Sequence, residues 1–433
     1  MSVASETGLE RAIGARQLTA SIVNVTIGAG IFVLPAIVAA GLGTAAPLAY
    51  IVCGVLMALI VCCFASAGSR VSLTGGLYAY VEVAFGPFIG FLAGVLYCLS
   101  ATFAVASVAS AFAGSVGALW SPVESAVGRG LIIIAVFAAL AGINVRGVRT
   151  GARLVEATTI LKLLPLLAFV GVGIWSVHAD YLRWPGLPAV SSVGRTSILL
   201  IFAFLGVEIA LVPSGEVRDP ARTVPRALLT ALAITSLLYI LIQMVAEGLL
   251  GPAIAQHTAA PLADAAAQVL GKWGRLLVIA GAVVSMFGYL SGDMLGSPRA
   301  LYAFARDGVL PEPIARIHPR FHTPYVAITA YACVVALLAV SSSFTQLAIL
   351  SNVAALTLYL MCVTASYQLQ RRDVRIEGTQ PFTLAGGPLI PLLAAAVIVW
   401  LLSNATRREF GIEALVLAIA AVFYFIRRTG GAI

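Results

Sequence analysis

Long apolar runs separated by short polar segments make up almost the whole chain. Most of these runs approach or exceed the roughly 20 residues that an α-helix needs to cross the hydrocarbon core of a membrane. The pattern predicts an all-α polytopic membrane protein with 12 transmembrane helices and little chain outside the bilayer. The helices are expected near residues 15–40, 45–68, 79–118, 130–146, 153–176, 195–214, 224–249, 274–306, 324–341, 344–370, 389–404 and 411–427.

Composition excludes several other classes of protein. The chain is 61% apolar and 10% charged, whereas a soluble domain is about half apolar and about a quarter charged. The six cysteines lie in apolar runs without paired or metal-ligand spacing, so we expect no disulfide framework, metal or other cofactor. The net charge of +8 comes from short basic clusters rather than one basic face, which argues against nucleic-acid binding.

The basic residues also predict the orientation in the membrane. The termini and the even-numbered loops hold 18 of the 26 Lys and Arg residues, the other loops hold seven, and Lys162 lies inside a span. Because cytoplasmic loops carry an excess of Lys and Arg, both termini are expected in the cytoplasm. Glu6, Glu10 and Arg11 precede the first apolar run, so no cleavable signal is expected. These features predict a multi-pass protein of the plasma membrane, which in a bacterium is the inner membrane.

Two spans contain residues that interrupt helices. The first has Gly28, Gly30 and Pro35 near its middle, and the sixth has Gly206 with Pro213 beyond it. Each of these spans is the first of a block of five. A pair of Gly/Pro-interrupted spans at corresponding positions is the best sequence indication of a transporter site between inverted repeats. The alternative is that these glycines only allow helices to pack closely.

Several segments resemble the amino acid, polyamine and organocation (APC) transporter superfamily. Residues 28–32 (GAGIF) resemble its first-helix signature, and residues 75–80 resemble the start of its third helix. Residues 202–208 and 216–220 are similar to its sixth helix and the following loop. Residues 297–308 resemble the end of its eighth helix. The combination is specific, although each segment alone is weak.

This resemblance implies a leucine-transporter fold. Two inverted repeats of five helices would occupy residues 15–190 and 191–370. A cytoplasmic tail (1–14) would precede them, and two trailing helices with a short tail (371–433) would follow. Members of the superfamily carry amino acids or related amines by proton symport or by exchange.

The interrupted helices indicate how a zwitterion would bind. The N–H groups of Gly28, Ala29 and Gly30 would hold a carboxylate, because a helix N-terminus favours an anion. Unpaired carbonyls at the ends of the first half-helices suit an ammonium group. Phe202 is either a lid over the substrate or a core aromatic, and so is Phe204. The predicted substrate contacts are Thr26, Ile27, Gly28, Ala29, Gly30, Phe202, Ala203, Phe204, Gly206 and Asp293.

Three ionisable residues fall at membrane depth, where a charge costs about 2.5–3.5 kcal/mol on insertion scales. Lys162 resembles a fifth-helix lysine whose ammonium replaces a sodium ion, and we expect it near the carbonyls of Ile27 and Gly28; alternatively it snorkels to an interface. Glu208 resembles a proton-sensing acid, or it is a carboxylate hydrogen-bonded across the helix break. Asp293 holds a cationic substrate side chain, carries a proton, or pairs with Lys162 or a backbone group.

The other charges are interpreted as structural. Glu82, Glu156 and Glu247 lie near span ends. Arg299 and Arg306 are candidate inner-gate partners for acidic residues that follow the sixth span, namely Glu216 and Asp219. The four histidines lie in predicted loops, which argues against a metal site.

The leading functional prediction is a secondary active transporter of amino acids, with protons as possible co-substrates and the lipid bilayer as its environment. A transporter of polyamines or other organic amines is the alternative within the fold. A membrane-embedded enzyme would need a catalytic motif, and a channel would need a selectivity filter or charged ring. The sequence shows neither.

Overall fold

The computed structural model describes residues 2–3, 13–71, 73, 76–146, 162–184, 186–208, 211, 217–306, 310–376, 380–383 and 386–429. These residues are almost entirely helical, with one short parallel pairing of Ser2–Val3 with Arg375–Ile376. The α-helices are α1 (Ala15–Thr26), α2 (Gly30–Leu42), α3 (Ala46–Gly68), α4 (Leu77–Phe85), α5 (Pro87–Gly117), α6 (Ala126–Arg146), α7 (Lys162–Ser176), α8 (Val190–Leu200), α9 (Pro220–Leu250), α10 (Pro261–Arg306), α11 (Tyr325–Ser341), α12 (Phe344–Arg371), α13 (Leu389–Leu402) and α14 (Arg407–Thr429).

Many of these helices can cross a membrane. Among the described residues, seven helical segments are long and apolar enough for a span, and four shorter apolar helices accompany them. The protein is therefore a polytopic, multi-pass membrane protein, as its apolar pattern indicated. The count of 12 spans and the inverted repeat stay predictions. Residues 147–161, with the start of the predicted fifth span and Glu156, lie outside the described residues, as do residues 212–216.

The predicted third span, 79–118, is divided into α4 and α5, and this is a correction. Gly86 separates the two helices with φ +93°, a backbone conformation that glycine adopts easily, and Pro87 starts α5. The chain also reverses tightly here, because a Cβ on Gly90 would lie 2.5 Å from Glu82 Cβ. In α10, Gly271 has non-helical angles (φ 57°, ψ −148°), so a separate short helix precedes the predicted eighth span, 274–306.

α5 and α12 cross through a reciprocal pair of serines. The Ser100 hydroxyl donates to the Ser351 carbonyl at 3.1 Å, and the Ser351 hydroxyl donates to the Ser100 carbonyl at 2.9 Å. Small residues such as serine let membrane helices approach closely and add interhelical hydrogen bonds. The next residue of α12, Asn352, donates its amide to the Ile198 carbonyl at 2.7 Å and so ties α8 to this crossing.

Hydrogen bonds between loops define two ends of the helix bundle. At one end, Thr44 Oγ1 donates to the Arg183 carbonyl at 3.0 Å, and the His178 N–H donates to the Gly248 carbonyl at 2.8 Å. Exposed tryptophans lie at this end, which we call the tryptophan face: Trp120, Trp175, Trp184 and Trp273. Tryptophan is enriched where a protein leaves the hydrocarbon core.

The opposite end is held by arginines, and we call it the arginine face. Arg70 donates to the Val374 carbonyl at 3.0 Å, and Arg372 donates to the Ala84 carbonyl at 3.0 Å. Arg375 bonds Asp373 and holds the pKa of that exposed carboxyl below its usual value. These contacts join the ends of α3, α4 and α12.

Candidate functional site

The first interruption comprises residues 27–29, between α1 and α2. Ile27 leaves the helical region (φ −78°, ψ 84°), and the Gly28 N–H bonds the Thr26 carbonyl at 2.9 Å instead of a carbonyl four residues earlier. The N–H groups of Phe32 and Val33 then bond the Ala29 carbonyl at 3.0 and 3.3 Å. The last carbonyls of α1 and the first N–H groups of α2 therefore make no regular intrahelical hydrogen bonds.

The second interruption comprises residues 201–206, after α8. A 3₁₀ turn covers Ile201–Phe204, Leu205 is extended (φ −65°, ψ 152°), and Gly206 has φ +107°. A residue with a side chain rarely adopts that last angle. Space requires glycine as well, since a Cβ on Gly206 would lie 2.9 Å from Val25 Cγ1 and 3.1 Å from the Val25 carbonyl oxygen.

The two interruptions lie in direct contact. A Cβ added to Gly30 would lie 2.9 Å from Ala203 Cα, so backbone packs on backbone at this point. The sequence predicted both interruptions, and the structure shows them at the expected positions and next to each other. Close packing, the alternative explanation for the glycines, also applies to Gly30 and Gly206. It does not apply to Gly28, whose added Cβ would have only Tyr289 Cδ2 at 3.9 Å.

Tyr239 of α9 bridges the interruptions, and sequence reasoning missed it. Its buried hydroxyl lies 2.9 Å from the Thr26 carbonyl oxygen and 2.9 Å from the Ala203 carbonyl oxygen, so both backbones share one donor. Its ring packs edge-to-face on Phe204, with centroids 5.5 Å apart. A single tyrosine in an apolar helix belongs to no recognisable motif, so nothing in the sequence indicated this role.

Lys162, at the start of the described part of α7, donates from its ammonium to the Asn24 carbonyl. This carbonyl lies one turn before the Ile27 and Gly28 carbonyls that we expected, which is a correction. The physical reason is that Gly28 bonds Thr26, which leaves the Asn24 carbonyl without its usual helical donor. Lys162 is only 7% exposed, unlike a side chain that snorkels to an interface.

Glu208 is a carboxylate with two hydrogen bonds near the second interruption. Its Oε2 accepts from the Gly206 N–H at 3.0 Å and from the Tyr359 hydroxyl of α12 at 2.6 Å. This geometry is the bond across the helix break that was the alternative to proton sensing. It fixes the position of Glu208 and leaves a role in proton coupling as a prediction.

Asp293 of α10 is bonded by two neutral hydroxyl groups. Its Oδ1 accepts from Ser297 at 2.6 Å, and its Oδ2 accepts from Tyr331 of α11 at 2.7 Å. The suggested pairing with Lys162 is therefore wrong for this conformation, because that ammonium bonds α1 instead. Both carboxylate oxygens are occupied by protein donors.

The aromatic side chains near the interruptions differ in their surroundings. Phe204 is fully buried against Tyr239, as a core aromatic would be. Phe202 meets Phe344 edge-to-face with centroids 5.4 Å apart, at the start of α12. Thr26 also lies here, and its buried hydroxyl has no hydrogen-bond partner. This hydroxyl is available for a ligand at the first interruption.

Two interpretations of the remaining charges need correction. Glu247, expected to be a plain charge at a span end, is 2% exposed, because the loop at residues 177–181 packs over the end of α9. Asp219 lies 3.9 Å from Arg222, three residues later. Two guanidinium nitrogens of Arg299 are buried without a partner, so the candidate Arg299–Asp219 pair is not formed. Glu216 and the Arg306 side chain lie outside the described residues.

A many-spanning membrane protein whose two interrupted helices meet inside the bundle has the architecture of a transporter. The sequence model of the amino acid permease family matches residues 13–424. The chain therefore belongs to the amino acid permease family, and this confirms the resemblance seen in its motifs.

Three relatives from Bacillus subtilis illustrate the family. The chain is 26% identical to the methylthioribose transporter, with 96% of this chain and 93% of the relative covered. It is 28% identical to the serine/threonine exchanger SteT (90% and 90% covered) and 24% identical to the branched-chain amino acid permease BcaP (98% and 94% covered). Their names are those of a transporter, an exchanger and a permease, which confirms a transporter rather than an enzyme.

Proposed function

We propose that the protein is a secondary active transporter that moves amino acids by alternating access around the two interruptions, by proton symport or by exchange. The observation that carries this proposal is the backbone contact of Gly30 with Ala203. It brings the N–H end of α2 and the carbonyl end of the α8 segment together. One zwitterion then meets opposite backbone poles at a single place.

The geometry refines the predicted substrate contacts. We assign the substrate carboxylate to the N–H groups of Ala29 and Gly30 and to the unpaired Thr26 hydroxyl, since the Gly28 N–H already bonds the Thr26 carbonyl. The Tyr239 hydroxyl already engages the Thr26 and Ala203 carbonyls. We therefore assign the substrate ammonium to the neighbouring Ile27 carbonyl.

A neutral amino acid fits the site best. Both Asp293 oxygens accept hydrogen bonds from Ser297 and Tyr331, so the carboxylate has donors without a cationic substrate side chain. The substrates in the names of SteT and BcaP, serine, threonine and branched-chain amino acids, are neutral as well. Polyamines or other organic amines are the second candidate, because an acid at this depth is available to a cation if it exchanges its present partners.

The coupling groups of this proposal are Lys162 and Glu208. The Lys162 side chain holds the last turn of α1 through Asn24, beside the first interruption. Glu208 connects the second interruption to α12 through Tyr359. A change in the protonation of Glu208 would alter that connection, and we propose that this links protons to transport.

The topology of the proposal follows from charge. We place the arginine face and both termini in the cytoplasm and the tryptophan face outside, in a bacterial inner membrane, because Lys and Arg accumulate on the cytoplasmic side. We further propose two inverted repeats, 15–190 and 191–370, each beginning with an interrupted span.

Purified protein in liposomes tests the function directly. Labelled serine or leucine should exchange with internal unlabelled amino acid and saturate, and a panel of unlabelled competitors would define the substrate. Flux that rises linearly with concentration, or no flux with any amino acid, would reject the proposal. The variant Asp293→Asn separates the substrate classes: selective loss of arginine or polyamine competition would support the cationic candidate.

A further inference from the structure

Glu247 is a buried acid that the proposed transport site does not use. It lies in the last turn of α9, is 2% exposed, and neither carboxylate oxygen has a hydrogen-bond partner. Glu208 differs in this respect, because donors from Gly206 and Tyr359 satisfy it. The two acids thus differ in how many hydrogen-bond donors surround the carboxyl group.

The groups around Glu247 are polar and also incompletely paired. Gln243, one turn earlier on α9, lies beside the carboxyl, and its amide nitrogen donates to the Pro35 carbonyl at 3.4 Å. The Gln243 carbonyl oxygen and the Tyr50 hydroxyl of α3 are buried without partners. The arrangement therefore offers the Glu247 carboxyl several oxygens and no positive charge.

The other titratable groups near this turn do not change that balance. On α3 and α9 they are Tyr50, Cys53 and Tyr239, all buried. From the covering segments at the tryptophan face they are His178, Asp180, Tyr181 and His257; Asp180 pairs with Arg183, and His257 bonds Asp264. None of these residues forms an ion pair with Glu247.

An unpaired buried carboxylate costs several kcal/mol, and such a group takes up a proton instead. A protonated carboxyl also gains a donor, and the Gln243 carbonyl oxygen, one turn away and buried without a partner, is an acceptor for it. The neutral acid thus satisfies more of this cluster than the carboxylate does.

Space argues for a proton rather than a hydrated cation. A Cβ on Gly248 would lie 2.5 Å from Val177 Cγ1, and a Cβ on Gly251 would lie 3.0 Å from the Tyr181 ring. The loop at residues 177–181 therefore packs on both sides of the turn without room for a methyl group. A metal ion with its own ligand shell needs more room than a proton.

We propose that Glu247 is a proton-binding site of the transporter, protonated in this closed packing and exchanging its proton at the tryptophan face when α9 separates from the loop at 177–181. Tyr50 connects this site to the interruptions, because its ring packs edge-to-face on Tyr239 with centroids 6.3 Å apart. Tyr239 in turn bonds both interrupted backbones. Proton occupancy at Glu247 is thereby coupled to the closed arrangement of the substrate site, a coupling that rests on the proposed transport function.

The first test compares Glu247→Gln with Glu413→Gln in liposomes. Glu413 of α14 is a matched control, since it is 6% exposed and also has a buried oxygen without a partner. Wild-type exchange should fall on the alkaline limb of external pH by up to about tenfold per pH unit, as the protonated fraction of one carboxyl does. Glu247→Gln should vary less than about twofold over that range, whereas Glu413→Gln should follow the wild type. A wild-type pH profile in Glu247→Gln would overturn the proposal.

The second test needs no transport. Infrared difference spectra of the full-length protein, recorded between neutral and alkaline pH, should contain the C=O stretch of a protonated carboxylic acid that is absent in Glu247→Gln and present in Glu413→Gln. If no amino acid is carried but this band is found, the proposed function fails and the proton site stands. If the band persists in Glu247→Gln, the proton site fails. If sodium ions remove the band at constant pH, Glu247 binds a cation and the proposal is also wrong.

Discussion

Replacing Tyr239 by phenylalanine removes one hydroxyl group and keeps the ring that packs on Phe204. In the structure that hydroxyl is 2.9 Å from two carbonyl oxygens, one on each interrupted helix. The Thr26 carbonyl retains the Gly28 N–H as a donor at 2.9 Å. The Ala203 carbonyl loses the side-chain donor, so the substitution exposes one buried acceptor.

The magnitude follows from that count. Leaving a buried acceptor unsatisfied costs about 1–3 kcal/mol. If the cost falls on the closed conformation, the equilibrium between open and closed forms shifts about 5- to 150-fold. We expect the maximal rate of exchange by Tyr239→Phe to fall by about the lower part of that range, because water reaches the carbonyl in the open form and offsets some of the loss.

Initial rates of exchange in liposomes, measured over a range of substrate concentrations, check this expectation. Tyr424→Phe is the control, since Tyr424 of α14 packs on Phe88 and Phe91, away from both interruptions. A Tyr239→Phe variant with the maximal rate and half-saturation concentration of the wild type would refute the reasoning.

Three further substitutions test other contacts of the site. Lys162→Ala should cripple turnover without preventing membrane insertion, because α1 loses its ammonium contact. Lys272→Ala at the tryptophan face is the control and should leave uptake unchanged. Wild-type uptake in both variants would remove Lys162 from the mechanism. Glu208→Gln should flatten the pH dependence of transport if Glu208 is proton-linked, and an unaltered pH profile would reject that assignment. Gly30→Ala should abolish exchange, since its methyl would lie 2.9 Å from the backbone of the second interruption. Gly114→Ala is the control: a methyl there has open space and should be tolerated. Normal exchange by Gly30→Ala would contradict the backbone contact.

The sequence predicted the features that are local in the chain. Glycines at 28, 30 and 206 mark the interruptions because helices tolerate them poorly and ligand sites need them. The burial of Lys162 and Glu208 agrees with the apolar residues counted on each side of them, and the membrane depth of these residues and Asp293 stays a prediction. These inferences needed no information on which helices touch.

The features that depend on packing between helices were missed or misplaced. Glu247 is near a span end in the sequence, yet a distant loop buries it. The partner of Lys162 shifted by one turn because the Gly28 N–H turned to Thr26. The break at Gly86 was missed, although Gly86-Pro87 is a turn signal, because apolar residues continue on both sides of it. Tyr239 acts through two carbonyls, and backbone acceptors leave no mark in a sequence.

The reciprocal serine pair has a consequence for how this molecule can move. Each hydroxyl of Ser100 and Ser351 is committed to the other residue's carbonyl, so sliding α5 along α12 by a single residue would break both bonds together. The crossing therefore resists translation of one helix along the other. During the proposed transport we expect the segments that carry Gly30 and Gly206 to move while this crossing stays in place.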